Sequence, residues 1–138
     1  MRFARRTMSR RRGYVLGYLR SIAWFRRRDQ WFEDEVARHG VVRCIVCRKA
    51  GSRRTFELHH LDYTGVTQDA RNEWVAGERH EDLVAAHPRC HEWIHTLLDR
   101  DEAASAAVDR RAANVRVIRG LRAKFATAIT QLGEDDGL

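Results

Sequence analysis

The chain has 138 residues, with 26 Lys or Arg against 19 Asp or Glu, a formal net charge of +7 and a pI near 10.1. That length suits one domain with a modest core and not two, and that charge points to a polyanionic partner. No apolar run approaches the roughly 18–20 residues needed to span a bilayer, and three cysteines, two of them in one knuckle, are no disulfide framework; they fit thiolates kept for metal in a reduced, cytoplasmic setting.

Residues 1–12 hold too little apolar content to pack and read as a mobile basic arm, with no Asp or Glu before Asp29. An Arg-rich, acid-free start also fits a mitochondrial transit peptide. Within a helical segment 13–39, Val15, Tyr18, Ile22, Phe25, Phe32 and Val36 recur at helical spacing, and Gly40 supplies the stop. Trp24 and Trp31 widen that apolar face and are expected to cover a metal-bound module. Val41–Arg43 and Thr55–His59 read as the two strands of a small hairpin around the polar turn 48–54. Residues 61–80 show no period and read as a loop around Trp74. Pro88 can open a helix that runs to Leu98, since an early helical position needs no amide hydrogen. Asp99 or Asp101 caps a last helix to about Leu132, striped by Val108, Ala112, Val115, Ile118, Leu121, Phe125, Ile129 and Leu132. That helix is expected to pack and to carry no chemistry, and residues 133–138 read as a frayed acidic tail.

Two half-clusters dominate the middle of the chain: Cys44-Ile45-Val46-Cys47 and His87-Pro88-Arg89-Cys90. Each tight knuckle supplies two donors, and four Cys/His donors close one tetrahedral structural zinc site. Four histidines remain beside it. His91 and His95 are four apart, so both imidazoles leave one face of a helix. Cys90 lies about 100° round that axis from His91, which lets one helix serve two metals. His59 and His60 end the second strand, where successive side chains point to opposite sides and so take different jobs. A divalent ion held by imidazoles with open positions suits phosphodiester hydrolysis, and a free imidazole titrating near neutrality can take a proton from the attacking water.

The combination of Cys44-x2-Cys47, Phe56–Tyr63 with its His59-His60 pair, and Glu81–His95 resembles an HNH endonuclease of the zinc-stabilised branch. The resemblance covers about residues 40–98. It implies an α+β fold, a small ββα-metal module with a structural zinc, flanked by N- and C-terminal helices, and a metal-dependent endonuclease acting on DNA, with RNA as an open alternative. On that resemblance His60 matches the general base, His59 the metal ligand before it and His91 the second ligand, while His95 matches a position that binds metal or the scissile phosphate. The catalytic ion would be Mg²⁺, Mn²⁺, Ni²⁺ or Zn²⁺, in a bacterial or phage-encoded protein. The family's middle asparagine falls on Asp82, which adds negative charge beside a phosphate site; Asn72 matches that position less well. His87 stands where cysteine is usual, and Glu57 is a candidate support from outside the site.

Two rival readings share these residues. His91-Glu92-Trp93-Ile94-His95 spells HExxH, the helical zinc signature of metalloproteases, but no third ligand stands out in the sequence and a basic chain has no special use for peptides. The other rival is a non-catalytic nucleic-acid-binding zinc module whose spare histidines are solvated or satisfied in the core. His39 and His80 fit no constellation and read as surface residues. Of the arginine runs 10–12 and 26–28, at least one is expected to contact phosphate. Nothing in the chain reads a base sequence or sets an oligomeric state.

Overall fold

Ser21 divides the first predicted helix into two. Its hydroxyl oxygen accepts from the Trp24 amide at 3.1 Å, while its own N–H and O–H both close on the Tyr18 carbonyl, at 2.9 and 2.6 Å. The helical stretch 14–19 therefore ends there and α1, Ile22–His39, starts afresh with a serine N-cap. The computed structural model describes residues 14–101 and 109–135, with side chains to residue 128. The expected basic arm, its Arg10–Arg12 run and Val108 lie outside the described residues, as do the side chains of Ile129 and Leu132. Gly40, in the left-handed region at φ 75°, ends α1 by returning its N–H to the Val36 carbonyl at 2.8 Å.

The buried face of this region follows the predicted stripe only in part. Tyr18, Trp24, Trp31 and Phe32 go inside, whereas Phe25 and Val36 face solvent and Ile22 is 71% exposed. Large aromatics bring more apolar area and, for Tyr and Trp, a polar end that must find a partner. Trp31 Nε1 donates to the His80 carbonyl at 3.1 Å and the Tyr18 hydroxyl to Glu78 at 2.6 Å. Trp24 lies against the His60 ring, centroids 4.7 Å apart, and Trp31 stacks on His80, so α1 covers histidines.

Strand pairing also departs from the single predicted hairpin. β1 (Val42–Arg43) pairs antiparallel with β2 (Ala50–Gly51), folding the first knuckle onto itself. β3 (Glu57–His60) leads into a second hairpin, β4 (Val66–Gln68) and β5 (Trp74–Ala76), inside the segment read as loop. Asp69 closes that turn by accepting the Arg71 and Glu73 amides, Asn72 sits at φ 60°, and Gly65 approaches Gly77 too closely for any side chain. Three-residue strands offer too few positions for alternation to show. After a 3₁₀ turn at His80–Asp82, β6 (Leu83–Ala86) returns to pair antiparallel with β3, in register His59↔Val84 and His60↔Leu83.

Pro88 opens α2, Pro88–Arg100, as predicted from an early helical position's needing no amide hydrogen, and the helix runs two residues past Leu98. The last helix, α3 (Arg110–Asp135), starts later than expected because Asp109 caps it, accepting the Ala112 amide at 3.1 Å; Asp101 instead accepts from Arg116 at 2.9 Å. It runs on to Asp135, past the start of the predicted tail. Its inward face is Ala113, Asn114, Val117, Ile118 and Leu121; Ile118 and Leu121 belong to the predicted stripe, as does Phe125 packed against the core, whereas Ala112 is exposed. The architecture is α+β, with three two-stranded antiparallel sheets among the described residues. One core joins Tyr18 and Trp24, the strand residues Leu58, Leu83 and Ala86, Ile94 of α2, and Val117 to Leu121 of α3. Among the described residues no helix is long and apolar enough to cross a membrane.

Candidate functional site

The β1–β2 turn and the β6–α2 junction bring Cys44, Cys47, His87 and Cys90 together, their donor atoms all within 4.8 Å of one another. Cys44 and Cys90 are buried, and Cys47 Sγ lies 3.3 Å from His87 Nδ1. Burial alone would push the Cys44 thiol up, but the Cys47, His87 and Val46 amides and the His87 ring donate toward its sulfur and bring it down to about 7. Cys90 is pushed up to about 12, by burial first and then by the neighbouring Cys44 and Cys47. Three sulfurs this close cannot all ionise beside one another unless a cation is added, so the donor set fits a bound metal ion such as zinc.

A second group sits on the other side of α2. His59 of β3 and His91 and His95 of α2 place their donor nitrogens within 4.8 Å of one another. His59 Nδ1 is 3.1 Å from His91 Nε2, which is 3.0 Å from His95 Nε2. The outer nitrogens are occupied: His59 Nε2 donates to Asn114 Oδ1 at 2.5 Å and His91 Nδ1 to Glu57 Oε2 at 2.7 Å. The inner nitrogens of these two rings are therefore bare lone pairs facing each other, which repel unless a proton or a cation lies between them. Burial holds His59 near 3, with His91, His95 and Arg110 adding to the depression against the Asn114 hydrogen bond; His95 is lowered by the same causes, burial first. Neutral imidazoles are the form that donates to a metal. Three nitrogen donors, with His95 exposed, leave coordination positions open.

His60, next along β3, points the other way. It is 3% exposed, stacked on Tyr63 with ring centroids 4.1 Å apart, and packed against Trp24. Its Nε2 donates to Glu78 Oε2 at 2.8 Å, and Tyr18 donates to the same oxygen. Burial would raise the Glu78 carboxyl, but these two hydrogen bonds outweigh it and hold the group below its ordinary value. Asp82 is fully buried at the end of the 3₁₀ turn. It accepts from Arg79 Nε at 3.0 Å and from Arg111 Nη1 at 3.3 Å, so two guanidinium groups meet the charge that a carboxylate adds at that position. Its backbone carbonyl takes the Leu61 amide at 2.8 Å, tying the turn to the end of β3. Asn72 lies in the β4–β5 turn, away from these contacts.

Other expectations need correction. His80 is half-buried, stacked on Trp31 and bonded to Glu35 Oε2 at 2.6 Å, whereas His39 is exposed as expected. Within the run 26–28, Arg27 donates to the Glu78 carbonyl and Arg28 to the carbonyls of Arg53 and Phe56, while Arg26 is exposed and leaves the expected phosphate contact open. α3 does more than pack: Asn114 meets His59, Arg111 meets Asp82, and the Arg110 guanidinium lies 5.2 Å from the Tyr63 ring centre. The sequence held one clue to this, an asparagine amid the apolar positions 113, 117 and 118. Glu78 gave none, being one charge in the charged run 78–82. Comparison with protein-family models, with curated proteins and with solved structures finds no match.

Proposed function

We propose that this chain is a metal-dependent endonuclease of the HNH type that hydrolyses phosphodiester bonds in DNA. The observation that carries the reading is the convergence of His59, His91 and His95 on one point from a strand–strand–helix unit, β3–β6–α2, beside an independent Cys3His site. A cation bound there supplies Lewis-acid neutralisation of the phosphoryl oxygen and the leaving 3′-oxygen. An all-imidazole donor set suits Ni²⁺ or Zn²⁺ better than Mg²⁺, which prefers oxygen. Arg110, close enough for its charge to depress both His59 and His95, adds positive potential where a phosphate would sit.

His60 is assigned as general base. With Nε2–H given to Glu78, Nδ1 keeps the lone pair that takes a proton from water as the water oxygen attacks phosphorus and the P–O3′ bond breaks. The imidazolium so formed sits beside the Glu78 carboxylate, which stabilises it. Asp82 holds the 3₁₀ turn against β3 and is a positioning residue.

Two observations favour the rivals. The deep burial of His60 is what a satisfied core histidine shows, and it supports a module that binds nucleic acid without cutting. His59 provides the third donor that the HExxH reading lacked in the sequence. Incubation of the purified chain with supercoiled plasmid and Mg²⁺, Mn²⁺, Ni²⁺ or Zn²⁺ tests the proposal. Nicked or linear product with at least one ion is expected; retention of DNA without cleavage under all four sinks it.

A further inference from the structure

We infer that Asn114, on a helix outside the motif-bearing module, selects the metal-binding tautomer of His59. The inference rests on the reading of His59, His91 and His95 as a metal site. Asn114 is fully buried, and its side chain is fixed at three points. Nδ2 donates to the Leu61 carbonyl at 3.2 Å and to the Arg110 carbonyl at 3.0 Å; Oδ1 faces His59 Nε2 at 2.5 Å. Both amide hydrogens are thus taken by carbonyl oxygens. Flipping the amide would set Oδ1 against those two carbonyls, three acceptors with no hydrogen among them, so the oxygen must face the ring.

An oxygen at that place accepts only from an N–H. His59 therefore carries its proton on Nε2 and presents Nδ1, bare, toward His91 Nε2 at 3.1 Å. A hydrophobic residue at position 114 would leave the proton free to move to Nδ1, where it blocks donation to a cation. Outer hydrogen bonds of this kind set both the orientation and the basicity of a ligating imidazole. Leu61 follows directly on β3 and Arg110 opens α3, so the same amide also fixes the helix against the end of the strand that carries His59. Asn114 is a positioning residue: it touches neither the substrate nor the ion.

The test uses the full chain with its Cys3His site loaded with zinc, and titrates Ni²⁺ calorimetrically. Wild type is expected to take up one further ion per chain. Asn114→Ala should weaken that second event by about 10–100-fold, the usual cost of losing such a partner, and leave the zinc content unchanged. Equal Ni²⁺ affinity in wild type and a folded Asn114→Ala overturns the role of Asn114 and spares the site. No second ion in wild type sinks the site itself. A third measurement needs no nickel and no variant: nitrogen-15 spectra of the zinc-loaded wild type should show His59 protonated on Nε2, and protonation on Nδ1 contradicts the inference outright.

Discussion

One thirteen-residue helix, α2, serves both candidate metal sites, giving Cys90 to one and His91 and His95 to the other. The first set has four donors, three of them sulfur, with Cys44 and Cys90 buried. The second has three nitrogens and an exposed member, and its outer nitrogens are held by Asn114 and Glu57. Four donors, three sulfurs and an imidazole nitrogen, close a tetrahedral shell and leave nothing for a substrate, whereas three imidazoles leave room. On the proposed reading the first site is the permanent one and the second is where chemistry would occur.

That division is broken most severely at the sulfurs. Cys44→Ser is expected to abolish the folded state, because a structural zinc contributes on the order of 10–16 kcal/mol, as much as or more than the roughly 5–15 kcal/mol that holds a typical domain together. Near-ultraviolet circular dichroism of the tryptophans reports it. A cooperative melt near the wild-type temperature would mean that the Cys3His group is not a folding device.

At the histidines the expected loss is of rate. His60→Ala is a poor probe, since it leaves the buried Glu78 carboxylate with one hydrogen bond fewer, and losing a hydrogen bond to a charged group costs about 1.5–3 kcal/mol. His60→Gln places an amide N–H near the old Nε2 and keeps a donor for Glu78. It should retain most of the stability while plasmid cleavage falls by about 10²–10⁴-fold, the ordinary worth of a general base. Undiminished cleavage by a folded His60→Gln removes His60 from the mechanism.

The donors and the groups that hold them differed in legibility for a physical reason. Metal donors announce themselves by residue type and short-range spacing, so Cys44, Cys47, His87, Cys90, His91 and His95 could be grouped from the chain, and the helix opened by Pro88 with them. Their partners come from far away in sequence. Asn114 reaches His59 across 55 residues and Tyr18 reaches Glu78 across 60, and no local pattern encodes either. The apolar stripes were right only in part, for a related reason. Periodicity finds a face but not which competing face wins burial, and in α1 Trp24 and Trp31 displaced Ile22 and Phe25. Strand partners were unreadable because two- and three-residue strands carry no alternation, so β1 was paired with the wrong segment.

Glu78 gives a smaller effect with a pH signature. Its folded pKa lies below its ordinary value of 4.5, so its contribution is complete above that pH and is lost as the pH falls through the folded pKa. Glu78→Gln should therefore melt at lower temperature than wild type at neutral pH, by an amount equivalent to about 1.5–3 kcal/mol for hydrogen bonds to a buried charge. The gap should narrow below about pH 4.5. Taking the difference at each pH cancels the acid lability that both proteins share through their thiolates. A gap that widens on acidification would show Glu78 to be buried in its neutral form.

The smallest expected effect is the most discriminating for the chemistry of the open site. Glu92 is exposed and follows His91 on the same helix, where an HExxH protease would use it as base. If the histidines instead serve phosphodiester hydrolysis with His60 as base, Glu92 has no proton to move. Glu92→Gln should then cleave plasmid within about twofold of wild type, the scale of a surface substitution worth some 0.5 kcal/mol, and neither protein should digest casein. Casein turnover by wild type that disappears in Glu92→Gln would transfer the open site from phosphate to peptide chemistry while leaving the zinc-closed site untouched.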